Sequence, residues 1–447
     1  MLFKNREEII NNGKTPELKK IRGEILDILT SAIDAVDPYN AVKNKFIDKK
    51  LIIEGNSFDI SCFENCYIIG FGKASVGMAQ AVCDSVGINS GIVITNEVEN
   101  KVKNENVTTF IGGHPIPDNN SIIGTEKIVE LVENCNNNDL LIVLISGGGS
   151  ALLSKPRIDL ENLQKTTDLL LKSGANINEI NTIRKHLSYV KGGQLIKSAK
   201  CKVISLIISD IINDPIDFIA SGPTYPDYTT FNDVFTIIEK FDLWNKLPSS
   251  VIKIIEEGKK GIIEDTPKNN NPIFKNVFNY IVANNNLACI AAENKAEELG
   301  YKTMLLTTSL EGEAKDIGKY LTDKAKNFKT YADKSLFISG GETTVTIRGD
   351  GKGGRNQEMV LGCVENIPNS NIIFTSFATD GIDGMSNAAG AISDSYTLSR
   401  AKEKNLEVEK FLENNDSFNF FKKLNDLLIT GPTGTNVMDI QIIIKIT

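Results

Sequence analysis

Leu141-Ile-Val-Leu-Ile-Ser-Gly-Gly-Gly-Ser150-Ala-Leu-Leu153 is the stretch that decides the fold. Its five leading apolar residues, β-branched ones among them, sit just beyond Asp139 and read as a buried strand. Ser146 and the glycines Gly147, Gly148 and Gly149 turn the chain, and Ser150-Ala-Leu-Leu opens a helical pattern. A strand that turns through glycine straight into a helix leaves backbone N–H groups with no internal partner. Such a turn is an anion site, and phosphate is its usual occupant.

The chain repeats this device. Gly70-Phe-Gly72-Lys73-Ala-Ser75 follows the apolar run Tyr67–Ile69 and precedes a helical pattern. It looks like a dinucleotide fingerprint, with Glu97 near the place of a ribose-binding acid. Ser75, however, stands where a third glycine or alanine belongs, and Lys73 adds a point charge to the turn, which suits a phosphate. No Gly-x-x-x-x-Gly-Lys-Ser/Thr P-loop occurs. The third instance is Arg348-Gly-Asp-Gly-Lys352-Gly353-Gly354-Arg355-Asn-Gln-Glu358. Here Gly353 and Gly354 offer main-chain donors, and Arg355 can fork onto phosphate or carboxylate oxygens.

Outward from these turns, strands and helices alternate. Strands are predicted at 66–70, 91–95, 107–111, 140–145 and 203–209, with helices from about 74 and 121 and over 160–173. Residues 258–273 lose all periodicity and read as a linker or exposed loop. Further strands are predicted at 280–283, 303–307, 336–339, 343–347, 372–378 and 440–446, with helices over 286–299, 311–327 and from 355. The alternation in the first half predicts a parallel sheet covered on both faces, and the whole an α/β class with two domains, divided somewhere in 240–275.

Composition narrows the function. A chain of 447 residues with 41% hydrophobic and 24% charged residues is ordinary for a globular protein. A net charge of −8 argues against nucleic acid or an anionic membrane as partner, so anionic substrates require local cations or a metal ion. No apolar run reaches membrane-spanning length, and the N-terminus lacks a signal-peptide core. With seven scattered cysteines, the expected compartment is the cytoplasm.

Acidic residues recur at strand ends: Asp210, Glu342, and Asp380 with Asp383. In an open α/β sheet the carboxyl ends of the strands face the ligand crevice, and carboxylates there suit Mg²⁺. The two histidines, His114 in Gly-Gly-His-Pro-Ile-Pro-Asp118 and His186, are too few for most histidine metal sites, and no nucleophile elbow accompanies them. Arg184, Lys185 and Lys191 cluster, and a helix turning them to the crevice would supply cations.

Taken in order, Gly-Phe-Gly-Lys73-Ala, Gly-Gly-His114-Pro-Ile-Pro-Asp and Ser146-Gly-Gly-Gly-Ser-Ala-Leu resemble the N-terminal domain of the glycerate 2-kinases. So do Glu179-Ile-Asn-Thr-Ile-Arg-Lys-His-Leu-Ser and Ala220-Ser-Gly-Pro-Thr224. Ser339-Gly-Gly-Glu-Thr, Gly353-Gly-Arg-Asn-Gln-Glu, Ala378-Thr-Asp-Gly-Ile-Asp-Gly and Gly431-Pro-Thr-Gly-Thr-Asn-Val resemble its C-terminal MOFRL domain. The resemblance implies a Rossmann-like domain over 1–250 and a second α/β domain over 275–447, with the active site in the cleft between them. Roughly the first 40 residues are left free to pack on the second domain. It further implies ATP- and divalent-metal-dependent phosphorylation of D-glycerate at its 2-hydroxyl, with Lys73 and Arg355 as the active-site lysine and arginine.

On this reading Gly70, Gly72, Ser146–Ser150, Gly353 and Gly354 bind nucleotide phosphates. Asp210 is the base, Glu342 and Asp380 hold Mg²⁺, and Arg184 and His114 meet the substrate. The partners are small molecules, with a homodimer left open. Two alternatives stand beside it: a nicotinamide-dependent hydroxypyruvate reductase and a non-catalytic regulator that binds a phospho-ligand.

Overall fold

The computed structural model describes residues 1–329, 332–368 and 370–446. Its packing divides the chain into two compact units. One comprises Pro38–Ser209 and Asp214–Val282; the other comprises Met1–Asp37, Asp210–Asn213 and Ala283–Thr447.

The first unit carries a small antiparallel meander, β1 (Phe46–Ile47), β2 (Lys50–Ile53) and β3 (Asn56–Asp59). Its main sheet contains β4 (Cys66–Phe71), β5 (Ser90–Thr95), β6 (Val107–Ile111), β7 (Leu140–Ile145), β8 (Lys202–Ile208) and β9 (Val277–Ala283), in the order β6-β5-β4-β7-β8-β9. β4 through β8 pair in parallel. All six residues of β7 are buried, as an unbroken apolar run demands of a central parallel strand. Counted along the chain, the sheet runs third, second, first, fourth, fifth, sixth, which is the doubly wound order. The order reverses between β4 and β7, and the crevice beyond their carboxyl ends is where such sheets bind ligands.

A helical layer of the same unit, Leu160–Lys172, Ile177–His186, Phe231–Lys240 and Ser249–Lys259, closes on Leu170, Ile183, Phe231, Ile238 and Ile255. The segment expected as a linker begins as the last turn of the helix Ser249–Lys259. Its irregular continuation is pinned: Asp265 accepts the Phe231 amide, and Thr266 donates to Asp227.

The second unit holds β10 (Lys302–Leu310), β11 (Lys334–Gly341), β12 (Ile372–Ala378), β13 (Gly390–Ser393), β14 (Leu427–Leu428) and β15 (Asp439–Ile446), ordered β10-β11-β15-β12-β13-β14. This second sheet is mixed. Among the described residues only β10 and β11 pair in parallel, because β15 inserts antiparallel between β11 and β12. The strand predicted over 343–347 does not form. Gly341, at φ 141°, turns the chain out of the sheet where a side chain would strike the Leu310 backbone, and only an isolated Glu313–Thr344 bridge remains.

The helix Pro16–Ala35 belongs to this unit; it starts on a Thr15 cap with proline in its first turn and packs on the helix Asn285–Glu298. Arg22, wholly buried, pairs with Asp394 at 2.6 Å and Asp426 at 2.8 Å.

Candidate active site

In the first unit the turns after β4 and β7 are locked to one another. Lys73 N donates to Gly147 O at 2.9 Å, Ser146 N to Phe71 O at 3.2 Å, and Ala74 N to Ser146 Oγ at 3.1 Å. Gly72 is required by this contact. Its φ is 129°, and a Cβ there would lie 2.2 Å from Ser146 Oγ. Gly70 lies within β4, where a Cβ would touch Ser75, Val93 and Leu144.

The amides of Gly72, Lys73, Ala74 and Ser75 all find acceptors inside the protein. Those of Gly147, Gly148 and Ser150 have none among the described residues, and neither does the Lys73 ammonium. At the reversal point of the sheet, then, three amides and one lysine are free to meet an anion. In the fingerprint that resembles a dinucleotide site, the glycines serve packing, and the donors come from the facing loop. Glu97, read as a ribose acid, accepts a hydrogen bond from Asn100 at 2.6 Å.

His114 closes one side of this site. A Cβ on Gly148 would lie 3.0 Å from His114 Cδ2 and 3.4 Å from Lys73 Cγ, so the three residues adjoin. Burial, and then the Lys73 charge, hold the His114 imidazole below its ordinary value, which keeps it neutral near pH 7. Ser150 Oγ lies 2.8 Å from Ser221 Oγ. Behind Ser150, Lys191 Nζ donates to the Ser150 and Leu153 carbonyls at 2.6 and 3.2 Å, and Arg184 lines the same recess. Lys185 faces elsewhere, to Asp227 at 3.3 Å, and His186 is a packing residue against Phe231. Asp210 follows β8, two residues beyond its last, Ile208.

In the second unit, Arg355 begins the helix Arg355–Cys363 and is held by two acids. Its Nε and NH2 donate to the two Asp439 oxygens at 2.5 and 3.1 Å, and NH1 meets Glu342 at 2.6 Å. Asp383, buried, caps this helix from outside by accepting the amides of Asn356 and Gln357. Desolvation pushes the Asp383 carboxyl up to about 6 despite these donors, and burial raises Asp439 as well.

The glycines of this loop are sites of close approach. A side chain on Gly354 would lie 2.4 Å from Asp383, and one on Gly353 would lie 2.2 Å from Ser417 Oγ. Asn414, Asn415 and Asp416 take the amides of Arg348, Gly349, Asp350 and Lys352. The amides of Gly353, Gly354 and Arg355 keep no internal acceptor among the described residues. Beside them lies a cavity of about 460 Å³ lined by Glu342, Val345, Ile347, Gly353, Arg355 and Met385.

Asp380 stands past β12, where its Oδ1 accepts the Ile382 amide. Among the described residues no group of three or more His, Cys, Asp or Glu side chains is arranged to hold a metal ion. Magnesium that travels on nucleotide phosphates and keeps its waters needs only one or two carboxylates, and Glu342, half exposed, fits that smaller demand.

Sequence reasoning missed Asp439. It is the first residue of β15 and carries the only sign available beforehand, an acid at the mouth of an apolar strand. Asp383 reads from the sequence as a strand-end acid, but its capping of residues 356 and 357 is not visible in spacing.

Comparison with known proteins supplies the family. Residues 24–256 match a domain of unknown function (DUF4147), and residues 335–439 match the MOFRL family. A glycerate 2-kinase of Pyrococcus horikoshii is 44% identical, over 94% of this chain and 96% of its own length. A D-glycerate 2-kinase of Thermotoga maritima is 38% identical, over 95% of this chain and 98% of its own. The crystal structure of a glycerate kinase from Thermotoga maritima superposes with a TM-score of 0.84 at 36% identity, covering 96% of this chain and all of that one. The doubly wound sheet, the second α/β unit and these matches over nearly the whole length agree: the chain belongs to the glycerate 2-kinase family.

Proposed function

We propose that the chain transfers the γ-phosphoryl group of ATP to the 2-hydroxyl of D-glycerate, giving 2-phosphoglycerate and ADP. The observation that carries the reading is the unpartnered Lys73 beside the free amides of Gly147, Gly148 and Ser150, where the strand order reverses. Phosphoryl transfer asks a protein mainly to position the reactants and neutralise charge on the transferred oxygens, and these groups do both. Arg355, with the free amides of Gly353 and Gly354, is the corresponding set of donors in the second unit.

Asp210 is proposed as the base that takes the proton of the attacking hydroxyl. Glu342 and Asp380 are the proposed holders of Mg²⁺, which when bound supplies a Lewis acid to the phosphates. Arg184 and His114 are proposed to face the acceptor. The cysteines are free thiols, which suits work in a reducing cytoplasm, and no helix among the described residues is long and apolar enough to cross a membrane.

Phosphorus NMR of the product formed from ATP, Mg²⁺ and D-glycerate tests the assignment. A 2-phosphoglycerate resonance supports it; a 3-phosphoglycerate resonance, or no phosphoester, overturns it.

A further inference from the structure

Two cations of the first unit lack what the other buried cations among the described residues, Arg22, Lys185 and Arg400, have, an opposite charge beside them. Lys191 is 5% exposed, and among the described residues its ammonium is held only by the carbonyls of Ser150 and Leu153. Arg184, largely covered, has no hydrogen-bonding or ion-pairing partner among the described residues. Burial pushes the values of both down, and the Arg184 charge lowers Lys191 further, as two like charges sharing one recess must.

Other cations of the chain are paired. Lys185, on the same helix as Arg184, meets Asp227; Arg22 meets Asp394 and Asp426; Arg355 meets Asp439 and Glu342. A chain of net charge −8 is not short of carboxylates, yet none is placed here. Leaving a charge buried and unpaired is among the costliest arrangements in a protein, and it persists where a ligand brings the counter-charge.

The recess is walled by Pro117, Ser150, Ser154, Ser188, Arg184 and Lys191. Pro117 ends the loop that carries His114, and Ser150 belongs to the turn that offers free amides, so the recess adjoins the proposed reaction centre. Its enclosed space is about 10 Å³, room for one oxygen-sized atom. That is too small for a phosphate chain and sufficient for one oxygen of a flat carboxylate whose other oxygen lies against the guanidinium.

We propose that Arg184 and Lys191 form an oxyanion subsite that takes the carboxylate of the acceptor and so confines the enzyme to hydroxy acids. This rests on the reading of the chain as a glycerate kinase. It adds Lys191 and the reason an acid rather than a neutral polyol is accepted. Lys191 is anchored by two carbonyls and presents its remaining N–H; Arg184 closes on the ligand from the more exposed side.

Calorimetric titration of the full chain with D-glycerate, and separately with ADP, tests the subsite. Arg184→Gln and Lys191→Met are expected to weaken D-glycerate at least about tenfold and to leave ADP binding unchanged. Arg184→Lys should retain more D-glycerate affinity than Arg184→Gln. Lys185→Met, which removes a paired cation, should leave D-glycerate binding as it was. Should Lys191→Met fail to fold, Arg184→Gln decides alone, since Arg184 makes no bond whose loss would unfold the chain.

Weakened ADP binding with unchanged D-glycerate binding would mean that the subsite holds a nucleotide phosphate, and would overturn the proposal. So would unchanged binding of both ligands. If D-glycerate binds through Arg184 but receives no phosphoryl group, the subsite stands and the kinase reading fails.

Discussion

Asp439 grips Arg355 with both carboxylate oxygens, at 2.5 Å from Nε and 3.1 Å from NH2. Asp439 is the first residue of the central strand β15 and is buried, whereas Arg355 begins a helix and is about a third exposed. A guanidinium fixed in this way keeps its fork aimed in one direction, the kind of preorganisation that transition-state charge stabilisation requires.

Asp439→Asn should therefore act as the loss of a positioning residue. Arg355 keeps Glu342 and is partly solvated, so the cost to stability is held to about 1–3 kcal/mol. Turnover should fall further, by about ten- to a hundredfold, with little change in KM for either substrate. Denaturant unfolding and steady-state kinetics on the same preparation separate the two effects. A fall in stability alone would make the pair purely structural.

Lys73→Ala removes a side chain that bonds to nothing within the described residues, so its thermal midpoint should stay near that of the parent. Turnover should drop on the order of 10²–10³. Arg355→Ala is a poorer test because it strands Asp439 as a buried charge. Arg355→Lys keeps a cation against Asp439 and should fold, yet still lose turnover, since a point charge cannot reproduce a two-pronged contact. Near-parental turnover in either Lys73→Ala or Arg355→Lys removes that residue from the mechanism.

Gly72→Ala should fail structurally. A methyl group at φ 129° is strained, and it would press on Ser146 Oγ and the Ser146 carbonyl at 2.2 and 2.5 Å. Strain and overpacking together should cost about 2–5 kcal/mol, read as a lowered denaturation midpoint. A stable, active Gly72→Ala protein would mean that the turns after β4 and β7 are not locked together.

Much of the first unit is legible in the sequence because each element there has a local cause. An apolar run such as Leu140–Ile145 has no alternative to a buried parallel strand, and glycine after it has to turn. That pattern marks Lys73 and the 146–150 loop, and the fold brings them together. What escaped reading is non-local. The insertion of β15 between β11 and β12 depends on strand partners about 60–110 residues away in the chain. Alternating Thr343–Ile347 looks like a strand until Gly341 turns it away from any partner. The partners of Arg355 were hidden for the same reason: Asp439 lies 84 residues further along.

Asp383 should give the fold a pH dependence. Its folded value, about 6, lies above the ordinary 3.8, so its contribution is complete below about pH 4 and is lost as pH rises through 6. Relative to Asp383→Asn, which cannot ionise, the parent should lose about 2–3 kcal/mol of unfolding free energy between pH 4 and 7. Urea titrations of both proteins across that range check it. Parallel curves would mean that Asp383 ionises as it does in water.

The most direct test of the central claim is the regiochemistry of the product, read by coupling the reaction to enolase, which accepts 2-phosphoglycerate. With ATP, Mg²⁺ and D-glycerate, the account predicts phosphoenolpyruvate at once, with no phosphoglycerate mutase present, and a signal that collapses in Lys73→Ala. A signal that appears only after the mutase is added, or one that survives Lys73→Ala undiminished, would contradict it.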